Sequence, residues 1–378
     1  MGKKKFWLFI FTPAIVIAVT LSVVLPITII NSKKRKLEKL WKDSPSYVDD
    51  GKERISFHTD LQKAYLDDQI DNINTYARGI EELSRPKPIE FTWESEENEF
   101  EVYLSEKKNF SDSLIYNVNE KKIFFTNLKI DTKYYYKVIS SNKSIKEGTF
   151  LTSNEIIRNM YVSGVTNVRD LGGYHVSGGK TLKQGLIYRT ATLNSSGAES
   201  VNPTITEKGK NTMLNEMKVK TEIDLRMVDN NEVGGLKEGT GVLGESVKYY
   251  QCPMDYNLPF YSGEINLNSL RKVFNILGNS DSYPLFFHCA IGTDRTGYIA
   301  WLINAVLGVS EGYLWRDYLF SNFGNIGSKR KMSNISGTYV EHIKNQKGKT
   351  MQEKVTNYLL DCGVTIEEID TLKSMMLS

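Results

Sequence analysis

A chain of 378 residues is long for one ordinary core, so two or three folding units are expected. Hydrophobic residues at 40% and charged residues at 25% supply a sizeable core. A net charge of +3 is too small to argue for nucleic acid, and the 21 tyrosines are not interleaved with a basic stripe, so no nucleic-acid partner is expected.

From the N-terminus, Phe6 to Ile30 contains no charged residue and is long enough to cross a bilayer core of about 30 Å. Lys3, Lys4 and Lys5 precede it, and Lys33, Lys34, Arg35 and Lys36 follow. No cut site for a signal peptidase and no lipid-attachment cysteine stands nearby, so residues 1–36 read as an uncleaved anchor whose partner is the lipid bilayer. With Lys39 and Lys42 added, the count of basic residues favours a cytoplasmic C-terminal side. Residues 37–85 read as a polar, partly helical connector, with Leu61, Tyr65, Ile70, Ile73, Tyr76 and Ile80 weakly periodic and Thr59 or Asp60 as cap. Arg85-Pro86-Lys87-Pro88 breaks any helix. Residues 86–153 then predict a small all-β sandwich, with Phe100, Val102 and Leu104 on one face and further strands at Ile123 to Phe125, Tyr134 to Ile139 and Gly148 to Leu151.

Residues 154–378 alternate strands with helices, the pattern of an α/β domain with a mostly parallel central sheet. Strands are predicted at Gly185 to Thr190, Val219 to Leu225, Val247 to Cys252 and Pro284 to His288. Helices are predicted at Thr206 to Met217, Leu267 to Leu277, Tyr298 to Gly308, Glu311 to Phe320, Lys349 to Asp361 and Ile366 to Met376. Thr365 and Glu368 form a capping box for the last.

The fourth strand leads into His288-Cys289-Ala290-Ile291-Gly292-Thr293-Asp294-Arg295-Thr296-Gly297. A strand ending at a cysteine, a short turn and a helix opening on an arginine make a cup for an oxyanion, because turn amides and the helix dipole converge there. The same field lowers the pKa of the Cys289 thiol toward the attacking thiolate. Arg295 can grip two phosphoryl oxygens with its planar fork, Gly292 permits a close approach of backbone, and the Thr296 hydroxyl can donate to the sulfur as it leaves. Ala290, Ile291, Gly292, Thr293, Asp294, Arg295 and Thr296 are therefore the expected phosphate-binding residues. Cys252 and Cys362 read as small core residues. His58, His175, His288 and His342 lack metal-ligand spacing, so neither metal nor cofactor is implied.

The stretch His288-Cys289-x-x-Gly292-x-x-Arg295-Thr296-Gly297 resembles the phosphate loop of the protein tyrosine phosphatase superfamily. Asp294 before Arg295 is similar to a bacterial branch whose loop usually reads His-Cys-x-x-Gly-Lys-Asp-Arg-Thr-Gly. Asn167 to Tyr174, Leu186 to Ala191 and Thr221 to Arg226 resemble other signatures of that branch. The resemblance implies a phosphocysteine mechanism on phosphotyrosine, with phosphoserine, phosphothreonine or phosphoinositides in some members. Thr293 replaces the usual lysine, which removes a cation and counts against inositol headgroups. Trp93 and Asn127 to Tyr136 resemble a fibronectin type III domain, a type common outside bacterial cells; that favours an extracytoplasmic catalytic domain, with a cytoplasmic one as the alternative.

Hydrolysis also needs a carboxyl group to protonate the leaving oxygen and then to activate water. Asp294 is the first candidate through its match to the loop aspartate, Asp224 at a strand end the second, and Asp255 the third. Arg169 and Asp170 read as a structural pair. The expected protein is a membrane-anchored phosphatase whose partner is a phosphorylated protein or small phosphomonoester. A phosphoinositide or inositol phosphate phosphatase, and a non-catalytic phospho-ligand or surface binding protein, are the alternatives.

Overall fold

The computed structural model describes residues 53–195 and 204–378. The apolar span Phe6 to Ile30, its basic flanks and the first part of the 37–85 connector lie outside them. Among the described residues no helix is long and apolar enough to cross a membrane.

The first sheets are small. Strands β1 (Ile89–Thr92) and β4 (Lys122–Phe125) pair antiparallel, and β2 (Phe100–Ser105), β3 (Leu114–Val118), β5 (Lys133–Ser140) and β6 (Lys143–Leu151) form a second sheet in the order β3-β2-β5-β6. Alternate residues of both sheets enter one core around Trp93, Phe100, Val102, Leu104, Ile123, Phe125 and Phe150.

The second body is an α/β domain. Its strands are β7 (Arg169–Asp170), β8 (Ile187–Thr190), β9 (Thr221–Asp224), β10 (Lys248–Gln251) and β11 (Leu285–His288), in the order β10-β9-β11-β8-β7. All pairs are parallel except β7 with β8. Leu285 and Phe287 join Ile187 and Ile223 in the larger core, while Phe286 joins Tyr188, Met213 and Met217 in a smaller one. The period of two thus sends side chains into a core on each face of the sheet. Glu207–Asn211 (α1) begins where Thr206 accepts from the Gly209 N–H, and then widens into a π-type stretch at Thr212–Glu216 instead of running on as one α-helix to Met217. Glu264–Leu277 (α2), Asp294–Val306 (α3), Glu311–Phe320 (α4), Met351–Asp361 (α5) and Ile366–Met376 (α6) follow. Helix α3 is buried from Arg295 to Val306, and hydrophobicity all round is what such a central helix requires.

The stretch expected as a connector behaves differently. Residues Tyr65, Leu66, Ile70, Ile73 and Ala77 lie in the same core as α3 and α4. Arg316 donates to Tyr65 O at 2.9 Å, Leu83 N–H to Phe323 O at 2.6 Å, and Asn159 Nδ2 to Ser84 O at 2.8 Å. The sandwich is therefore spliced into the catalytic body, between Arg85 and Ile156, rather than set in front of it. Its loop 127–131 is clamped to that body. Ile130 N–H donates to Gln184 Oε1 at 2.8 Å and Gln184 Nε2 donates back to Ile130 O at 2.9 Å. Asn127 and Tyr161 exchange a similar pair of bonds, at 3.0 and 2.6 Å.

Candidate active site

Strand β11 and helix α3 deliver Cys289 and Arg295 to one place. The turn between them is tight at Gly292, whose φ is +69° and whose missing Cβ would sit 2.4 Å from Thr190 O. No side chain fits there. Among the described residues, none of the N–H groups from Ala290 to Arg295 donates to a protein acceptor. Six backbone donors without partners at a helix N-terminus are a cradle for an anion.

Cys289 is 2% exposed. Burial alone pushes its thiol up, but the Arg295 charge and donors from Thr296 outweigh that and hold it below the ordinary thiol value. The Thr296 hydroxyl is buried and has no oxygen or nitrogen partner among the described residues, so it is available to the sulfur. Arg295 is held on one side only. Its Nη1 donates to Glu232 Oε2 at 2.6 Å, to Met254 O at 3.3 Å and to Leu225 O at 3.4 Å. Nε and Nη2 make no hydrogen bond among the described residues, which leaves the other edge of the fork for a ligand.

Behind the cup lies a buried network that the sequence did not announce. Asn167 Nδ2 donates to Gly292 O at 2.9 Å and to Ile291 O at 3.2 Å, and Arg189 Nη2 donates to Gly292 O at 2.8 Å. Asp317 of α4 holds both Arg169 and Arg189. Burial raises the Asp317 carboxyl, yet the two guanidinium groups outweigh it and keep it below the usual range. Arg169 does not pair with Asp170, which binds Arg158 instead. Asn167, Arg169 and Arg189 stood in recognisable motifs; Asp317 lies far along the chain in an unremarkable helix. His288 is bound by Glu222 Oε1 at 3.0 Å and reaches Cys289 O at 3.2 Å. Burial depresses its pKa, but Asp224 and Glu222 raise it overall.

The three aspartates fall in different settings. Asp224 is fully buried, takes Arg226 Nη2 at 2.7 Å and Nε at 3.0 Å, and accepts from Tyr249 Oη at 2.8 Å. Burial raises its carboxyl, and His288 and Arg226 more than reverse this. A sealed carboxylate bound in this way anchors the loop after β9. Asp294 does lie at the cup, but both its oxygens are occupied, Oδ1 by Arg330 Nε at 3.1 Å and Oδ2 by Arg330 Nη2 at 2.9 Å. Asp255 is half-buried on the loop after β10, with no cation in pairing distance among the described residues. Thr293 is fully buried and turned toward Asn167 at 3.3 Å, so the residue that replaces lysine points away from solvent. Cys252 and Cys362 are buried and unpaired, and burial pushes Cys252 up to about 12. Among the described residues no group of three His, Cys, Asp or Glu is placed to hold a metal ion.

Parts of the chain are similar to known proteins. A Cupriavidus necator protein, H16_A0669, named provisionally as a tyrosine-protein phosphatase, is 24% identical over 184 residues, which are 43% of this chain and 62% of that relative. The chain thus matches less than two thirds of the relative's length. The catalytic core of PP-IP phosphatase SIW14 from S. cerevisiae, crystallised with citrate, aligns at 19% identity over 43% of this chain and 88% of its own, with a TM-score of 0.27. P. aeruginosa TpbA, as a Cys→Ser variant with phosphotyrosine, aligns at 17% identity over 46% and 87%, with a TM-score of 0.28. The model of the tyrosine phosphatase family matches residues 160–378, more than half of the sequence and all of the cup. The chain belongs to the tyrosine phosphatase family.

Proposed function

We propose that this chain is a cysteine-dependent phosphatase that hydrolyses phosphotyrosine, and phosphoserine or phosphothreonine with it, without a cofactor. The observation that carries the proposal is the buried Cys289 thiol, lowered by Arg295 and enclosed by six unpartnered backbone donors. The Cys289 thiolate attacks phosphorus, an S–P bond forms, and the P–O bond to the leaving group breaks as a carboxyl group at the cup's mouth protonates that oxygen. The backbone N–H groups and the free edge of Arg295 hold the equatorial oxygens where charge develops. Water then attacks phosphocysteine, gives its proton to the same carboxylate, and displaces the thiolate.

The aromatic substrate is supported by the rim. Tyr256 is 57% exposed and Leu258 38% exposed on the loop after β10, an apolar wall of the kind a phenyl ring packs on. A second reading, a phosphoinositide or inositol phosphate substrate, is supported by Lys329-Arg330-Lys331. There Arg330 pairs with Asp294 at the cup while Lys329 and Lys331 are exposed. The third reading, a non-catalytic binder, has no observation in its favour. The proposal also includes an N-terminal bilayer anchor at Phe6 to Ile30, an extracytoplasmic catalytic domain, and a fibronectin type III-like character for the sandwich, all supported by sequence pattern alone.

The test is hydrolysis by the full chain, in EDTA, of a phosphotyrosyl peptide, a phosphoseryl peptide and phosphoinositide vesicles. Turnover of the tyrosyl peptide is expected to exceed the others and to fall by about 10³-fold or more in Cys289→Ser. Equal rates in the variant would remove the cysteine mechanism, and preference for the vesicles would favour the second reading.

A further inference from the structure

We propose that Ser84, in the segment ahead of the sandwich and outside the family match, is a positioning residue of the phosphate cup that acts through Asn167. The inference rests on the reading of Cys289 and Arg295 as a phosphatase cup, and it names a support that the family-matching region does not contain.

In a trans peptide the C=O of one residue points opposite to the N–H of the next. Whatever holds the carbonyls of the turn outward therefore aims its N–H groups inward. Asn167 does this for two of them. Its Nδ2 donates to Ile291 O at 3.2 Å and to Gly292 O at 2.9 Å, which turns the Gly292 and Thr293 N–H groups into the cup. The same Nδ2 reaches Thr293 Oγ1 at 3.3 Å.

Asn167 is itself fully buried, with a φ of +60°, a left-handed conformation that asparagine tolerates. Its backbone N–H has to find an acceptor in the interior. That acceptor is Ser84 Oγ, at 3.3 Å. The Ser84 hydroxyl gives its hydrogen to Glu82 Oε1 at 2.6 Å, and so presents a lone pair to Asn167.

Ser84 is fixed in this place from several sides. The buried Asn159 donates from Nδ2 to Ser84 O at 2.8 Å, and the buried Gln62 donates from Nε2 to Leu83 O at 2.7 Å and Arg85 O at 3.1 Å. Leu83 N–H donates to Phe323 O at 2.6 Å. Three successive carbonyls are thus held by two amide side chains. At the other end of Asn167, Arg169 donates to Oδ1. Arg169 sets the side chain of Asn167 and Ser84 sets its backbone. Without the Ser84 hydroxyl the buried N–H loses its acceptor, and the turn of the peptide that would relieve it draws Nδ2 away from the two carbonyls.

The experiment follows Ser84→Ala, Asn167→Gly and the double variant in the full chain, each checked as folded by its urea transition. Asn167→Gly accepts the positive φ and keeps the backbone N–H, so it removes only the side chain through which Ser84 acts. Binding of inorganic phosphate is measured by calorimetry in a Cys289→Ser background, where turnover plays no part; kcat and KM on nitrophenyl phosphate are measured with Cys289 intact. Ser84→Ala is expected to weaken phosphate binding about tenfold and to lower kcat by at least as much. In the Asn167→Gly background it is expected to change neither. Losses that multiply in the double variant overturn the assignment. So does a Ser84→Ala chain that unfolds at lower urea yet binds phosphate and turns over like wild type. Turnover absent from wild type, or surviving Cys289→Ser, removes the phosphatase reading instead, and the phosphate-binding cycle still decides the role of Ser84.

Discussion

Asp317 shows how much of the cup's shape depends on residues behind it. It is the one carboxylate shared by Arg169 and Arg189, and those two arginines reach the cup, Arg189 directly at Gly292 O and Arg169 through Asn167. Replacing it by asparagine keeps the volume and leaves two buried guanidinium groups without a countercharge. Asp317→Asn is expected to cost about 3–5 kcal/mol, read from the urea midpoint, and to lower activity on every substrate alike. The spacing of Cys289 and Arg295 was legible because a strand, a five-residue turn and a helix are local geometry. The partners were not. Glu232, Asp317 and Arg330 are brought to the cup by long-range packing, and nothing in their own neighbourhoods marks them. Asp294 shows the converse: its place in a motif indicated its position at the cup, while its partner Arg330 was not legible.

At the scale of elements, α4 and α6 begin and end where the periodicity and the Thr365–Glu368 capping box placed them. The four parallel strands are one to three residues shorter than expected. The apolar residues of the connector sit on a short helix, Asp60–Asp67, followed by irregular turns, so no single period describes them. Where this segment meets the returning chain, Glu155 accepts from Ser56 Oγ at 2.5 Å and pairs with His58 at 3.2 Å and Lys63 at 3.5 Å. Burial raises the Glu155 carboxyl, but His58, Ser56 and Lys63 carry it down to about 2. A depressed carboxyl stabilises the fold above its unfolded value and loses that contribution as pH falls through its folded one. Glu155→Gln is therefore expected to melt lower than wild type at neutral pH, with the two melting temperatures converging between pH 4.5 and about 2.

For the whole molecule, the family match begins at residue 160, yet the folded body begins earlier. Tyr65, Ile70 and Ile73 fill its core, Ser84 meets the Asn167 N–H at 3.3 Å, and Arg316 is capped by carbonyls of Tyr65 and Asp68. A fragment 161–378 would expose that apolar surface and leave Arg316 buried without those acceptors. It is expected to aggregate or to lose cooperative unfolding in circular dichroism, whereas a chain beginning at residue 53 should unfold in one step. The splice has a mechanical consequence. The chain that leads into the body is tied to the sandwich before it reaches Asp60: Ile55 bridges Thr152, Ile55 N–H donates to Leu151 O at 2.8 Å, and Phe57 lies in the sandwich core. Force applied ahead of residue 53 would therefore load the last strand of the sandwich first, and only after those bonds parted would it reach Asp60–Asp67 and the contacts of Arg316.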